Sequence, residues 1–438
     1  MIAERRTDPN QMNFLHADLL DQLNPKHPLL KLAGSIPWDY FEAEFSPLYS
    51  PQGRPAKPIR LMVGLSILKH LENLSDEVLI ERWVRDPYQQ SFCGETDFQW
   101  EPPCDPSEMT YFRNRIGAAG FEKILAASIA LHGEAAIEEE MCVDTTVQEK
   151  NITFPTDAKQ YRKIHAHLLK LARAEGIKLA RTHEQEVKRL KQRTRFASHP
   201  RNRKKARYAV KRLQTIAGRL LREIQRQMSI EQQQKYHKRL DLYQRVLNQK
   251  RGDKNKIYSL HEPHIYCMSK GKEHKKYEFG TKASVAKTRD SNLLIGALAF
   301  EKNCYDGHTL VEVFSQIERI LGQVPKICLG DRGYRGKTRI GAQRIIIPGP
   351  PGKGSSKATQ AKMRKRFQRR AAIEPVIGHL KSDHRLNRNF LKGFNGDQIN
   401  LLMAAAAFNF KKWMREVNFW LQNIRRIFFR MLNPVVPE

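Results

Sequence analysis

The sequence lacks the features of several protein classes. None of its six cysteines stands in a CxxC pair, and their spacing fits no set of zinc ligands. We interpret Cys142 and Cys328, which lie inside apolar runs, as buried thiols. The first fourteen residues contain no apolar segment typical of a signal peptide, and no apolar run is long enough to span a bilayer. We therefore predict a soluble, intracellular chain with no membrane partner.

Acidic residues are scarce after residue 140. Residues 1–140 carry 13 basic and 22 acidic side chains, whereas residues 141–438 carry 64 basic and 24 acidic ones. Residues 161–250 alone hold 26 basic and 6 acidic side chains, and the formal net charge of the chain is +31. Such an excess makes a polyanion the first candidate partner. The contrast between the two regions indicates parts with different tasks.

The chain length of 438 residues predicts more than one domain. Hydrophobic periodicity and composition divide the chain into four parts. These are a helical N-terminal domain (1–135), an α/β core (136–156 with 257–400), a basic helical insertion (157–256) and a C-terminal helical tail (401–438). The N-terminal helices are compatible with a DNA-reading helix-turn-helix and, because this part is acidic, at least equally with a packed bundle.

The proposed core alternates between two kinds of periodicity. Residues 140–148 predict a first strand, and the insertion follows it directly. Further strands are predicted at 256–260 (KIYSL) and in the segments HIYCM, YEFGTKASVAK, LLIGALAFE, KICLGD and RIIIPG, with an amphipathic helix at 308–322. A helical segment follows at 359–385. This order of strands and helices predicts an α/β fold.

Two aspartates end predicted strands. Asp144 follows MCV, and Asp331 follows ICLG. The carboxyl ends of strands face the site in an open α/β sheet, so neighbouring strands would hold these carboxylates a few ångströms apart. A divalent cation relieves the repulsion of two such anions, and Mg²⁺ prefers hard oxygen ligands. Glu374 is the candidate third carboxylate. For each aspartate alone, a turn or a helix cap is the competing interpretation.

Three motifs resemble those of the bacterial insertion-sequence transposases of the DDE type, whose catalytic core is RNase H-like. CVDTTV around Asp144 resembles the family's first strand, and LGDRGYRG around Asp331 resembles its second-aspartate motif. The family's Tyr-Arg-Glu-Lys frame is matched by Phe367, Arg370, Glu374 and Lys381. Phenylalanine replaces the tyrosine, which removes the hydroxyl and keeps the ring. Residues 54–77 are similar to the domain that precedes the core in one branch of the family.

The resemblance implies an enzyme that cleaves DNA at the inverted-repeat ends of an insertion sequence and joins them to target DNA. Asp144, Asp331 and Glu374 would hold two Mg²⁺ ions, for which Mn²⁺ can substitute. One ion would activate water, or later a DNA 3′-hydroxyl, and the other would stabilise the leaving oxygen. The partners would be double-stranded DNA and a second subunit, in a nucleoid-associated cytoplasmic location. No nucleotide cofactor is expected, since PGPPGKGSSK lacks the GxxxxGKS frame.

Two cations flank Glu374 in the sequence. Arg370 and Lys381 stand four residues before and seven after it, which is the same face of one continuous helix. Both are candidates to bind DNA phosphates beside the scissile bond. Pro375 disfavours helix at the residue before it. If a helix begins there, the same-face argument holds for Lys381 and fails for Arg370.

Other basic segments are candidate DNA contacts. Arg332, Tyr334 and Arg335 lie in the DRGYRG turn, where the glycines alone would also explain a tight turn. The insertion predicts a role in phosphate binding or in bridging a dimer. Two alternatives to a transposase remain. One is a nuclease or an inactive DNA-binding relic of the same fold, and the other is a basic structural protein that binds nucleic acid.

Overall fold

The computed structural model describes residues 18–53, 55–250, 252–269, 276–336, 338–350 and 355–432, and side chains up to residue 417. The chain divides into two compact units. The first combines Met1–Glu149 with Lys282–Glu438, and the second is Lys150–Thr281. The predicted insertion, 157–256, falls within the second unit, and the four-part division stays a prediction. Within the described ranges, no helix is both long and apolar enough to cross a membrane.

The first unit begins with a bundle of helices. They are α1 (Leu19–Gln22), α2 (Pro28–Ser35), α3 (Trp38–Phe45), α4 (Ile59–Leu71), α5 (Asp76–Arg85), α6 (Pro87–Cys93) and α7 (Pro106–Ala130). Ser75 caps the start of α5, because its hydroxyl accepts a hydrogen bond from the Val78 N–H. Asp105 begins α7 through a capping box with Glu108.

Helix α4 lies at the centre of this bundle. Apart from Arg60, all of its residues are buried, so it is enclosed on every side. A helix buried in this way cannot present a face to a DNA groove. The bundle shares one hydrophobic cluster with the first half of α15 (Gly393–Leu432). For the N-terminal helices, the structure agrees with the interpretation as a packed bundle.

The first unit also contains most of a mixed sheet. The strands of this sheet are β1 (Glu140–Lys150), β3 (Tyr277–Thr288), β4 (Leu294–Phe300), β5 (Ile327–Leu329), β6 (Arg339–Ile340), β7 (Gln343–Ile346) and β8 (Arg388–Asn389); β2 (Tyr266–Ser269), residue 150 of β1 and residues 277–281 of β3 belong to the second unit. The central order is β3-β1-β5-β7-β6, with β4 paired to β3 and β8 to β1. The β3–β4 pair is antiparallel, whereas β1–β5 and β5–β7 are parallel. The predicted α/β class is confirmed.

Helices cover both faces of this sheet. Helix α12 (Asp306–Leu321) packs on the face that carries Met141, Val143 and Cys328. Residues of α13 (Lys357–Ala371) and α14 (Ile373–Asp383) pack on the face that carries Cys142 and Leu329. Successive side chains of a strand point to opposite faces, which explains this division. Cys142 and Cys328 are buried free thiols, as predicted.

The second unit has a core of its own. Its helices are α8 (Asp157–Ala174), α9 (Glu184–Arg193), α10 (Pro200–Gln227) and α11 (Ile230–Asn248). The predicted strand at 256–260 is wrong. The Ile257 N–H and C=O exchange hydrogen bonds with the Gln249 side chain, at 3.0 and 3.2 Å, and Ile257 and Leu260 join the helical core. The apolar residues that indicated a strand are therefore explained by burial among helices.

A buried ion cluster connects three helices of the bundle. Asp76 accepts hydrogen bonds from Lys69 at 2.7 Å and from both terminal nitrogens of Arg113, at 3.0 and 2.8 Å. Burial alone would raise the pKa of Asp76, but Lys69 and Arg113 lower it to about 2. Burial lowers the pKa of Lys69 to about 8, which still leaves its ammonium charged at neutral pH.

We expect Asp76→Asn to destabilise the protein by about 3–5 kcal/mol at pH 7, because it leaves two largely buried cations unpaired. The measurement is urea unfolding. Since the folded pKa of Asp76 is depressed, its contribution is full above about pH 4 and is lost as the pH falls towards 2. The matched control is Glu81→Gln in the exposed Glu81–Arg85 pair, which should change stability by less than about 0.5 kcal/mol. Equal losses in the two variants would contradict this account.

Candidate active site

The two aspartates lie at matched positions on neighbouring strands. Strands β1 and β5 run parallel with Cys142 opposite Leu329, and each aspartate stands two residues further along its chain. Neighbouring strands are about 4.8 Å apart, so this register places Asp144 and Asp331 side by side at the carboxyl edge. Asp144 follows the alternation of Cys142, whose face of the sheet α13 and α14 cover.

Asp144 is held by a cation. Its Oδ2 accepts a hydrogen bond from Arg370 Nη2 at 2.9 Å, and its Oδ1 accepts one from the Thr145 N–H at 2.8 Å. The side chains of Asp144 and Arg370 are only 17% and 12% exposed. Arg370 Nε is buried and has no hydrogen-bond partner within the described part of the chain. The guanidinium is thus incompletely satisfied in this position.

A second arginine secures α13 along β1. Arg366 Nε lies 3.0 Å from an oxygen of Glu140, and Arg289 contacts the same carboxylate at 2.9 Å. Burial alone would raise the pKa of Glu140, but these two arginines lower it below its usual value. Arg366 and Arg370 are one turn apart on the same side of α13. Glu140 and Asp144 are four residues apart on the same face of β1, so each arginine can reach one carboxylate. These two pairs fix the direction of α13 relative to β1.

Asp331 forms a turn at the end of β5. Its Oδ1 accepts a hydrogen bond from the Gly333 N–H at 2.8 Å, which caps the short 3-10 helix Arg332–Tyr334. Asp331 is therefore a helix cap, which is the interpretation that competes with a role as a metal ligand. A cap uses one of several lone pairs of a carboxylate, so it does not prevent Asp331 from binding a cation as well.

Glu374 stands at the start of a new helix. Helix α13 ends at Ala371 and α14 begins at Ile373, so Arg370 and Glu374 are on different helices. The same-helix argument for Arg370 is wrong, and the preference of the residue before Pro375 for non-helical backbone fits a break close by. Lys381 shares α14 with Glu374, as predicted.

The three predicted carboxylates do not form one cluster. Glu374 is exposed, whereas its neighbour Ile373 is fully buried in the cluster that contains Cys142 and Leu329. This anchors the start of α14 on the face to which Asp144 points. Within the described residues, no three His, Cys, Asp or Glu side chains are close enough together to hold a metal ion. The structure brings Asp144 and Asp331 to one sheet edge without gathering Glu374 beside them.

Sequence reasoning missed a further carboxylate at this edge. Asp306 is the first residue of α12, and its Oδ1 lies 2.8 Å from Lys282 Nζ and 3.0 Å from Thr145 Oγ1. Thr145 directly follows Asp144, so the side chain of Asp306 belongs to the same neighbourhood. In the sequence, an aspartate before an amphipathic helix indicates only a helix start. The one available signal is its position soon after strand β4.

The DRGYRG turn divides into exposed and buried residues. Arg332 and Arg335 are exposed and stay candidates for DNA contact. Tyr334 is only 1% exposed, so the predicted contact of its ring with DNA is wrong. Its ring packs against Gly330 and joins the core under α12. The Tyr334 hydroxyl is buried with no hydrogen-bond partner among the described residues.

Comparison with known proteins identifies the class. A family model described as "Transposase domain (DUF772)" matches residues 17–115, and one described as "Transposase DDE domain" matches residues 251–410. An uncharacterized protein of Rhizobium meliloti, ORF8 in the nfe locus, is 45% identical over 199 residues, which cover 43% of this chain and 94% of that protein. No solved structure matches the chain.

These matches define a DNA-transposing class of protein. The chain belongs to the transposases with a DDE domain, and its mixed sheet is the RNase H-like core that this domain implies. The family resemblance and the fold expected from the sequence are thereby confirmed.

The oxygen donors at the sheet edge suit the divalent cation that this family generally requires. Asp144 and Asp331 supply hard carboxylate oxygens, and their charges act on Tyr334, whose buried hydroxyl has no partner among the described residues. Mg²⁺ commonly binds one or two carboxylates and completes its shell with water and substrate phosphates. A pair of aspartates therefore fits such an ion before DNA arrives.

We expect Arg370→Met to destabilise the metal-free protein by about 1.5–3 kcal/mol, because it removes a charge-assisted hydrogen bond from a poorly exposed carboxylate. The measurement is urea unfolding in a chelator. Arg369→Met is the control, because Arg369 is 53% exposed and lies 3.4 Å from a similarly exposed Asp290. The Arg369→Met variant should be as stable as the wild type. An Arg370 variant as stable as the Arg369 variant would show that the Asp144 contact contributes nothing.

Proposed function

We propose that this protein cleaves DNA at the inverted-repeat ends of an insertion sequence and joins the released ends to target DNA. The observation that carries the proposal is the register of β1 and β5, which sets Asp144 and Asp331 side by side at one sheet edge. Glu374 is included because it directly follows Ile373, which is buried on the face to which Asp144 points. Asp144, Asp331 and Glu374 are the proposed catalytic and metal-binding residues.

The proposed reaction is an in-line displacement at phosphorus. In the first step, a water oxygen bonds to phosphorus and the P–O3′ bond breaks, which leaves a free 3′-hydroxyl. In the second step, that hydroxyl attacks a phosphodiester of target DNA, and another 3′-oxygen departs. Two divalent cations bound to Asp144, Asp331 and Glu374 would supply positive charge at the attacking and leaving oxygens. The three carboxylates act by holding that charge in place.

Cationic side chains around the edge are proposed to hold the DNA. Arg332 and Arg335 are exposed beside Asp331, and Lys381 lies two turns after Glu374 on α14. Arg370 forms an ion pair with Asp144 in this structure. If a divalent cation neutralised Asp144, Arg370 would instead bind a DNA phosphate. Phosphate contacts of this kind position the duplex without reading its sequence.

The first experiment tests metal-dependent cleavage of a supercoiled plasmid that carries the terminal repeats, in Mg²⁺ and in Mn²⁺. We expect Asp144→Asn, Asp331→Asn and Glu374→Gln each to reduce cleavage at least about 100-fold, since each removes a charged metal ligand. The control is Glu139→Gln. Glu139 lies just before β1 and forms a largely exposed pair with Lys326 at 2.9 Å, so cleavage should be unchanged.

Each outcome assigns a different function. Cleavage at the repeat boundary followed by joining to a second plasmid supports a transposase. Cleavage without joining supports a nuclease of the same fold. If all variants bind the plasmid and the wild type cuts under neither metal, the protein is an inactive relic or a basic structural protein, and the proposed catalytic role is wrong.

We propose that the basic insertion binds DNA phosphates. Lys204, Arg207 and Lys211 are exposed at successive turns of α10, while Ala206, Ala209 and Leu213 on its other side are buried. Like charges at this spacing destabilise a helix unless an anion neutralises them. A DNA backbone along this side would supply those anions.

We expect replacement of Lys204, Arg207 and Lys211 by glutamine to flatten the dependence of log affinity on log salt by up to about 2.7, or about 0.9 for each phosphate that is no longer neutralised. Binding is measured by fluorescence anisotropy with duplex DNA over a series of salt concentrations. The charge-conserving variant Lys204→Arg, Arg207→Lys, Lys211→Arg should keep the wild-type slope. If the glutamine variant keeps that slope as well, this side of α10 does not bind DNA.

A further inference from the structure

Asp306 presents to the DRGYRG turn a carboxylate oxygen, Oδ2, that has no hydrogen bond among the described residues. Its Oδ1 is occupied by Lys282 and Thr145, whereas its Oδ2 points towards Gly333. A methyl group built on Gly333 would come within 2.9 Å of both Asp306 Oδ2 and Asp331 Oδ1. The two oxygens are therefore at most about 6 Å apart, which is close enough for one cation, or one cation and its bound water, to join them.

The role of Asp306 is not explained by its helix. An aspartate in a first turn is favourable beside the helix dipole. Its described hydrogen bonds nevertheless come from a strand lysine and from the residue after Asp144, and none comes from the backbone of α12. With 27% of its side chain exposed, Asp306 is held in a fixed orientation and is still open to solvent on one side.

A separate observation marks the space beside these oxygens. Tyr334 is almost fully buried, and its hydroxyl has no partner among the described residues. Burial raises the pKa of Tyr334 well above its usual value, and the charges of Asp144, Asp306 and Asp331 raise it further. A buried hydroxyl left unsatisfied costs about 1–3 kcal/mol. A hydrated cation held by the neighbouring carboxylates would bring water molecules that can satisfy it.

We propose that Asp306 is a fourth carboxylate of the site, and that its Oδ2 and Asp331 Oδ1 bind one divalent cation directly or through water. The proposal rests on the function proposed above and adds a ligand to it. Thr145 is a positioning residue, because its hydroxyl holds Oδ1 and leaves Oδ2 facing the turn, whereas Lys282 balances the charge of Asp306. Lys282 also limits the negative charge that accumulates at this edge before a cation binds.

The test is binding of Mn²⁺ to the full-length protein without DNA, followed by the electron paramagnetic resonance signal of free Mn²⁺. Asp306→Asn keeps an oxygen for Lys282 and Thr145 and replaces the other oxygen by an amide that cannot bind a cation. We expect it to weaken Mn²⁺ binding at least about tenfold, as Asp331→Asn should. Asp290→Asn, an exposed aspartate paired with Arg289, is the matched control and should bind as the wild type does.

A second variant separates a ligand from a structural ion pair. Lys282→Gln removes the cation from Asp306 and leaves both carboxylate oxygens, so we expect Mn²⁺ binding as tight as in the wild type, or tighter. Loss of binding in Asp306→Asn but not in Lys282→Gln supports the proposal. Equal Mn²⁺ binding by Asp306→Asn and the wild type, while Asp331→Asn is weakened, overturns it and leaves the proposed function intact. If Asp331→Asn also binds as the wild type does, the metal site of the proposed function fails too.

Discussion

The parallel register between β1 and β5 is the constraint on which the candidate site depends. Met141 and Val143 face one buried side of the sheet and Cys142 faces the other, and all three are fully buried. A shift of one residue would exchange the two faces and place each of these side chains against the wrong core. Burial of apolar side chains therefore stabilises the register. These side chains precede the aspartates in the chain, and the proposed site begins directly after them. This arrangement keeps Asp144 and Asp331 together without any attraction between them.

The far end of β1 is held by polar contacts instead. Gln148 is fully buried; its amide donates to the Asp397 carbonyl at 3.0 Å and accepts from Asn400 Nδ2 at 3.3 Å. Asn400 Oδ1 in turn lies 3.2 Å from His70 Nε2 on the central helix of the bundle. Burial lowers the pKa of His70 to about 3, so its ring is neutral and this network carries no charge. The strand that carries Asp144 is thus bonded, through α15, to the helical bundle that precedes it in the chain.

The sequence predicts those parts of the site that local patterns determine. Asp144 and Asp331 follow short apolar runs whose length and composition indicate buried strands, and the fold class follows from the order of elements. The pairing of Asp306 with Lys282 and Thr145 depends on contacts between residues far apart in the chain, and no local pattern encodes it. The wrong strand prediction at 256–260 has the same cause. An apolar run indicates that a segment is buried, but it does not indicate the partner against which the segment packs.

Charge balance at the sheet edge would couple the proposed metal binding to the proposed DNA binding. In the structure, Arg370 neutralises Asp144 and Lys282 neutralises Asp306, so protein cations hold the carboxylates that a divalent cation would need. The position of Arg370 is not fully favourable, because its buried Nε makes no hydrogen bond with the residues described. A divalent cation at Asp144 would release a guanidinium whose planar donors match a phosphate. Since linkage is reciprocal, DNA that holds Arg370 would in turn favour the cation at Asp144.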